Sequence, residues 1–249
     1  MPALLTDDDV ARFRADGYLL PGRQLFAPDK LAALEAIFDE HLSDKGDKLS
    51  DELDTPHFRD PRLLEFLLSD EVLDTVEPLV GPDIALWTSH FISKEPQKGR
   101  ATPWHEDSAY WNGRFDRYDQ IVTVWLAIGG PSNRQNGCMR VIPGSHLGGG
   151  FHDNYVPTDM SVQTFHAEIP DVDEDQAVDF ELQRGEFSLH DGRIVHGAKP
   201  NTSELRRTGY TMRYFPASVK MMPVEQNEGW RIWLARGEDK AGNRYANVS

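Results

Sequence analysis

The sequence predicts an α+β fold that is mainly β, with helices first and a strand-rich core after them. Apolar residues recur at helical spacing over about residues 6–80, whereas short runs of β-formers and aromatics fill about residues 84–216. A sandwich or jelly roll is the natural closed form for many short antiparallel strands. With 249 residues, 39% of them hydrophobic, and no internal repeat or linker, the chain is expected to form a single domain over residues 1–249.

Three helical segments are predicted in the N-terminal part. Thr6 is the expected N-cap of the first, with Asp9 three residues later in a variant of the capping box. The second begins near Pro28, since proline suits the first turn of a helix. The third follows Pro61 and is expected to close at Pro78 and the Gly81-Pro82 pair, because proline interrupts the backbone hydrogen bonds of a helix.

Strand-like runs dominate the remainder of the chain. Residues 84–93 and 120–128 are the longest of these runs, and residues 138–142 form a shorter one. Four more short strands are predicted late in the chain, at residues 180–182, 186–190, 194–196 and 207–215.

Two polar segments interrupt these elements. Residues 44–54 are charged and are expected to form a loop. Residues 153–179 are acidic, weakly periodic and long, so they are expected to run over the functional site as a cover rather than through the core.

Composition excludes several classes of function. A formal net charge of −15 repels phosphate backbones and anionic membranes, which argues against a nucleic-acid partner. The single cysteine, Cys138, excludes an internal disulfide and multi-cysteine metal sites, and it suits a reducing compartment. The sequence shows neither a signal peptide nor a run of about 18 apolar residues, so we expect a cytoplasmic protein without a membrane span.

A His-x-Asp motif stands in the middle of the chain, at His105 and Asp107. On extended backbone, residues i and i+2 project from the same face, so an imidazole and a carboxylate can converge on one point. Two histidines and one carboxylate with open coordination positions are typical of non-haem Fe(II) oxygenases. A third ligand is therefore required, and His190 and His196 both occupy strand-like positions between which periodicity does not choose.

Three sequence blocks occur in order along the chain. The first is PWHED at residues 103–107, followed by Tyr110-Trp111 and by VWLA at residues 124–127. The second is NGCMRVIPGSH at residues 136–146, and the third is HGAKPNTS at residues 196–203, with Arg207 beyond it. Together these blocks resemble the phytanoyl-CoA dioxygenase (PhyH) family of Fe(II)/2-oxoglutarate-dependent oxygenases.

This resemblance implies a double-stranded β-helix, a form of jelly roll, for the core. It implies that His105, Asp107 and His196 are the catalytic metal ligands. The cofactors that it implies are Fe(II), 2-oxoglutarate as co-substrate, and O2. Because a carboxylate is present at Asp107, where halogenating relatives have a small residue, hydroxylation or a related oxidation is favoured.

The resemblance also implies which residues bind 2-oxoglutarate. It assigns the far carboxylate of the co-substrate to Arg207, whose planar guanidinium can bind a carboxylate through two parallel hydrogen bonds. Strand alternation points the neighbouring Arg206 to the opposite face, and a register shifted by one residue would exchange the two. Trp125 and His90 are expected to line the pocket, while Ala198 departs from the serine common at its position.

Four residues that follow the His-x-Asp motif are expected on the substrate side. Tyr110 and Trp111 offer a flat apolar wall with polar tips. Arg114 or Arg117 is a candidate for holding an anionic group of the substrate. Core packing accounts equally well for Trp111 alone.

The expected reaction is hydroxylation of an unactivated C–H of a small metabolite or natural-product intermediate, with release of succinate and CO2. The alternative is a non-catalytic jelly-roll sensor or scaffold that binds metal or 2-oxoglutarate. A zinc hydrolase with the same three ligands is a further reading, and it would need Glu106 as general base. The substrate itself and the oligomeric state are left open by the sequence.

Overall fold

The computed structural model describes residues 5–148 and 151–247. Five α-helices occur within these residues, and four of them precede the long strands. Their bounds are α1 (Asp7–Asp16), α2 (Pro28–Ser43), α3 (Leu64–Leu67), α4 (Asp70–Val80) and α5 (Asp107–Tyr110).

The predicted start of α1 is confirmed by its hydrogen bonds. The Thr6 hydroxyl accepts from the Asp9 backbone N–H at 3.2 Å, and the Thr6 backbone N–H donates to the Asp9 carboxylate at 2.9 Å. This reciprocal pair is the capping box that the sequence indicates.

Of the residues predicted to close the third helical region, Gly81 does so and Pro78 does not. The region is divided into α3 and α4, and Pro78 lies inside α4, which continues to Val80. Proline removes one backbone hydrogen bond, but Val76 and Leu79 are buried on the apolar face that this helix packs into the core. Packing therefore outweighs the lost bond, and the helix ends only at Gly81.

Thirteen strands are described, most of them short. Their bounds are β1 (Tyr18–Leu19), β2 (Leu53–Asp54), β3 (Ile84–Lys94), β4 (Thr102–His105), β5 (Val122–Ala127), β6 (Met139–Val141), β7 (Val156–Pro157), β8 (Ala167–Glu168), β9 (Val178–Asp179), β10 (Phe187–Asp191), β11 (His196–Ala198), β12 (Arg207–Pro216) and β13 (Trp233–Arg236).

The strands form two main antiparallel sheets. The larger has the order β1-β10-β5-β12-β3-β13, with β2 also paired to β3, and the smaller has the order β4-β11-β6-β9. A separate hairpin of β7 and β8 lies within the predicted cover segment. This arrangement confirms the predicted jelly roll, and its larger sheet includes β1, β2 and β13 from outside residues 84–216.

Two predicted strands are displaced along the chain. The run predicted at residues 194–196 begins instead at His196, because a turn occupies residues 192–194. The run predicted at residues 180–182 is replaced by β9 and by one isolated bridge between Ser132 and Leu182. The loop predicted at residues 44–54 supplies β2 at its end.

The hydrophobic core lies between the helices and the larger sheet. Its main cluster joins apolar residues of α1, α2, α3 and α4 to side chains from β3, β5, β10 and β12. The opposite face of that sheet therefore lines the space between the two sheets. In the part of the chain that the structure describes, we find no helix long and apolar enough to cross a membrane.

Candidate active site

Three side chains of metal-ligand type converge between the two sheets. His105 ends β4, Asp107 begins α5, and His196 begins β11, where it is the register partner of His105. One donor atom of each residue lies within 4.8 Å of the others, and all three residues are buried. The backbone of Glu106 is extended, with φ −113° and ψ 128°, so its two neighbours share a face as the motif predicts.

Both imidazoles are oriented by backbone carbonyls. Nδ1 of His105 lies 2.8 Å from the oxygen of Pro103, and Nδ1 of His196 lies 2.9 Å from the oxygen of Ile194. A carbonyl only accepts, so each Nδ1 carries the proton and each Nε2 presents a lone pair. Nε2 of His105 faces the other two residues of the cluster and lies 3.8 Å from Oδ1 of Asp107.

The charge of Asp107 is balanced by Arg213 on β12. The guanidinium donates from Nε to Oδ2 at 3.1 Å and from Nη2 to Oδ1 at 3.4 Å. Burial alone would raise the pKa of Asp107, but Arg213 and His105 hold it well below its usual range. Burial, together with the neighbouring His105, holds the pKa of His196 well below its usual value. An anionic carboxylate and a neutral imidazole are the forms that bind a divalent cation.

Arg207 is a buried cation without an acidic partner. Within the described residues no carboxylate lies within 4.0 Å of it, and its Nη1 donates to the oxygen of Gly137 at 2.8 Å. Burial lowers the pKa of Arg207 to about 10, so the group is still protonated at neutral pH. Its guanidinium carbon lies 5.3 Å from the centroid of Trp125, and both side chains line the cavity that contains the three metal-ligand residues.

Arg206 immediately precedes β12 and points away from the cavity, as the predicted alternation requires. Its Nη1 donates to the Ser93 hydroxyl at 3.0 Å, and Arg206 is not part of the cavity wall. The structure thus brings Arg207, and not Arg206, to the metal-ligand residues.

The flat face of Trp125 depends on a glycine in the adjacent strand. A Cβ at Gly209 would overlap the six-membered ring of the Trp125 indole. We expect Gly209→Ala to displace the indole and to lower the free energy of unfolding by about 1–3 kcal/mol. Gly148→Ala is the matched control, because a Cβ there meets nothing within 4 Å. Equal urea midpoints for the two variants would contradict this account of Trp125.

Two further histidines line the same cavity without joining the cluster. His190 lies on the opposing sheet, its Nε2 4.0 Å from Oδ2 of Asp107, and burial lowers its pKa to about 4. His90 lies on β3, where its Nε2 is 3.0 Å from the oxygen of Asp51. The cluster of three contains His196 and not His190, which favours His196 as the third ligand.

Glu106 is directed to a different partner. Its carboxylate accepts from the backbone N–H of His152 at 3.1 Å and lies 2.9 Å from Nδ1 of the same residue. The hydrogen bonds tie residue 152, at the start of the acidic segment, to the centre of the metal-ligand motif. Glu106 does not line the cavity that contains the metal-ligand residues, so its carboxylate is not placed as the general base that a zinc hydrolase would need.

The acidic segment covers the cluster, as the sequence predicts. Phe165, between β7 and β8, has its ring centroid 4.8 Å from that of His105 and 5.1 Å from that of Tyr110. Phe165 and Thr164 also line the cavity. The cover therefore contributes an apolar wall above the metal-ligand residues.

A second cavity of about 280 Å³ adjoins the first, and we call it the aromatic chamber. It shares His90, Asp107, Phe165 and Arg213 with the first cavity. Its remaining wall is formed by aromatic side chains with a few polar ones among them: Asp54, Trp87, Thr88, Tyr110, Trp111, Arg114 and Trp230.

Three of the four predicted substrate-side residues line this chamber. They are Tyr110, Trp111 and Arg114. Arg117 does not line it; its guanidinium lies 3.8 Å from Asp119 and 2.8 Å from the Ser218 hydroxyl.

Sequence reasoning missed Arg213 and Thr211, which stand on β12 beyond Arg207. Thr211 lines the cavity, and its hydroxyl accepts from Nη1 of Arg213 at 3.2 Å. Strand parity was the available signal, because residues 207, 209, 211 and 213 share one face of a strand.

Comparison with curated proteins finds peroxisomal phytanoyl-CoA dioxygenases. The chain is 26% identical to the human enzyme over 229 residues, covering 89% of this chain and 66% of that protein. It is 24% identical to the rat enzyme over 229 residues, with the same two shares. The chain thus spans just under two thirds of the length of these relatives. Their names place them in the peroxisome, and a cytoplasmic location for this chain stays a prediction.

Comparison with solved structures finds the same fold in a non-haem monooxygenase and in a protein solved with 2-oxoglutarate. The non-haem monooxygenase ThoJ in its apo form is 26% identical and superimposes with a TM-score of 0.76, covering 96% of this chain and 87% of that one. EvdO2 from Micromonospora carbonacea var. aurantiaca, complexed with 2-oxoglutarate, has a TM-score of 0.71 and covers 91% of this chain and 96% of its own. EvdO2 is 22% identical, so it bears on the fold alone.

The sequence profile of one family extends over most of the chain. That profile, phytanoyl-CoA dioxygenase (PhyH), matches residues 5–209 and so includes β4, α5, β11 and the start of β12. It confirms the resemblance that the three sequence blocks carry. Because the match extends over most of the 249 residues, the chain belongs to the PhyH family of Fe(II)/2-oxoglutarate-dependent oxygenases.

Proposed function

We propose that this protein is an Fe(II)- and 2-oxoglutarate-dependent dioxygenase that hydroxylates an unactivated C–H of a small metabolite or natural-product intermediate. One observation carries the proposal. The His105, Asp107 and His196 side chains converge in a cavity whose wall also holds Arg207, a buried cation with no acidic partner in the described residues.

The residues present fit the metal that the family implies. Two imidazole nitrogens and one carboxylate oxygen form the donor set of non-haem Fe(II) oxygenases. Both Nε2 lone pairs are freed by the carbonyls of Pro103 and Ile194. His105, Asp107 and His196 would therefore hold Fe(II), and bound iron supplies the oxidation of the substrate by O2 coupled to conversion of 2-oxoglutarate to succinate and CO2.

The remaining residues bind, orient and exclude water. Arg207 would hold the far carboxylate of 2-oxoglutarate through charge-assisted hydrogen bonds, and Trp125 would flank that group, with His90 on the neighbouring wall. Phe165 closes the cavity on the side of the acidic segment. Exclusion of water by this wall strengthens each electrostatic contact inside.

The substrate would enter the aromatic chamber beside Asp107. Ligand pockets for drug-sized molecules measure about 300–1,000 Å³, and the chamber of about 280 Å³ lies just below this range. Tyr110 and Trp111 supply its apolar wall. A small molecule fits these dimensions, whereas a nucleic-acid strand would also meet a chain of net charge −15.

The test is succinate release from 2-oxoglutarate with Fe(II) and O2. We expect slow release without substrate and faster release when a correct substrate is supplied from a metabolite pool. Binding of 2-oxoglutarate with no release under any condition would favour the non-catalytic sensor. Product formation that persists under argon would contradict an oxygenase.

Replacement of Arg207 tests the co-substrate site. Arg207→Gln is expected to weaken 2-oxoglutarate binding by at least about 30-fold, because truncating one partner of a buried charge pair costs about 2 kcal/mol or more. The measurement is calorimetric titration of the Fe(II) protein with 2-oxoglutarate under argon. Arg206→Gln is the matched control, since that neighbour, immediately before β12, contacts Ser93 and does not line the cavity. A larger loss with Arg206→Gln would show that the assignment is shifted by one residue.

A further inference from the structure

The guanidinium of Arg114 is fixed by hydrogen bonds through two of its nitrogens, and its third nitrogen is free. Its Nε donates to the Asn227 side-chain oxygen at 2.7 Å and its Nη2 to the Gln226 backbone oxygen at 2.8 Å. Asn227 in turn donates to the backbone oxygen of Arg114 at 2.9 Å. Nη1 makes no hydrogen bond to the described residues. It is not fully buried, so it can donate to a ligand.

An aromatic platform holds this guanidinium at the chamber wall. Its carbon lies 4.5 Å from the ring centroid of Trp87 and 4.2 Å from that of Trp230, and the two indoles are stacked on each other. The other two nitrogens are fixed, so the free one is presented without loss of side-chain entropy on binding. The site is preorganised for a single acceptor group.

No carboxylate of the described protein neutralises Arg114 within 4.0 Å. The other cation of the chamber, Arg213, is already paired with Asp107. Asp54 is the one further acid in the wall, but its side chain is 58% exposed and lies 3.8 Å from Nδ1 of His90. Water screens an exposed carboxylate much more than it screens a half-buried guanidinium. The charge of Asp54 acts on Arg114 only from a distance, so within the described residues the chamber presents a guanidinium that no carboxylate contacts.

From this geometry we infer that Arg114 binds a carboxylate of the substrate, and that the substrate is a compact carboxylic acid. The inference rests on the proposed function and names its substrate class. One free nitrogen suits one carboxylate oxygen, whereas a phosphate dianion would require several donors. With the acid at Arg114, the carbon body would occupy the chamber, whose wall includes Trp111 and Phe165 and also Asp107 of the metal cluster.

The test compares small carboxylic acids with their primary carboxamides, which have nearly the same shape and no charge. Binding is measured by calorimetry to the protein loaded with Fe(II) and 2-oxoglutarate under argon. We expect the best-binding acids to bind about ten- to hundredfold more tightly than their amides, the range for a charge-assisted hydrogen bond. Arg114→Gln should remove this preference, and Arg114→Lys, which keeps the charge, should restore part of it.

Arg117→Gln is the matched control, because it removes a nearby guanidinium that does not line the chamber. Its acid preference should equal that of the unmodified protein. A panel in which no acid binds more tightly than its amide would overturn the inference, as would a preference that survives Arg114→Gln. Selective acid binding by a protein that never releases succinate would instead contradict the proposed function and leave the carboxylate site standing.

Discussion

Asp107→Ala is expected to lower 2-oxoglutarate-dependent turnover by more than about a hundredfold. Loss of a residue that merely supports a metal ligand costs about 10- to 100-fold in metal affinity or activity, and Asp107 is itself one of three ligand-type groups in the cluster. The measurement is succinate release at saturating Fe(II), together with Mn(II) binding followed by electron paramagnetic resonance. Retention of full activity would overturn the assignment of Asp107.

Two further variants separate metal binding from folding. Asp107→Asn keeps an acceptor for Arg213 but removes the anionic ligand, so it should fold and still bind Mn(II) weakly. Glu106→Gln is the matched control, because this buried neighbour contacts His152 and not the cluster. We expect Glu106→Gln to retain Mn(II) binding, whereas a loss equal to that of Asp107→Ala would place Glu106 among the ligands.

Arg213→Met is expected to lower the free energy of unfolding of the metal-free protein by about 3–5 kcal/mol. Breaking a buried ion pair leaves the remaining charge without compensation, and the cost falls in this range. The side chains of Arg213 and Asp107 are only 11% and 8% exposed, so solvent cannot replace the lost partner. The measurement is urea denaturation in the presence of a chelator, repeated with Mn(II).

A double variant identifies the mechanism of that loss. Arg213→Met combined with Asp107→Asn removes both charges, so it should recover most of the stability that the single change loses. Mn(II) should also stabilise Arg213→Met more than the unmodified protein, since a bound cation replaces the guanidinium charge. Additive losses in the double variant would indicate that Arg213 acts by packing alone. Arg62 pairs with Glu40 at the surface, and its side chain is 53% exposed. Arg62→Met should therefore lower the free energy of unfolding far less than Arg213→Met.

Local spacing predicted the parts of the site that depend on one segment. His105 and Asp107 share a face because the backbone between them is extended, and this is a property of three consecutive residues. Arg207 and Arg206 were likewise separated by strand parity. The helical and strand-rich parts of the chain followed from hydrophobic period.

Contacts between distant segments could not be predicted in this way. His190 and His196 both lie on strands facing the cavity, and only the pairing of β11 with β4 places His196 opposite His105. Arg213 was missed because its role depends on meeting Asp107, 106 residues earlier in the chain. Pro78 was expected to end the helix, but α4 continues to Val80. Burial of the surrounding apolar face keeps the helix intact, and local propensity does not measure this burial.

The position of β12 has a consequence for how such a site can evolve. The strand is hydrogen-bonded to β3 on one side and to β5 on the other, so its register is set twice. A slip by one residue would turn Arg207 and Arg213 outward together, and with them both the co-substrate anchor and the partner of Asp107. An insertion or deletion within this strand is therefore expected to disrupt both functions at once. New specificities are expected to arise by substitution on its inward face or by remodelling of the cover and the chamber, where a change affects one function at a time.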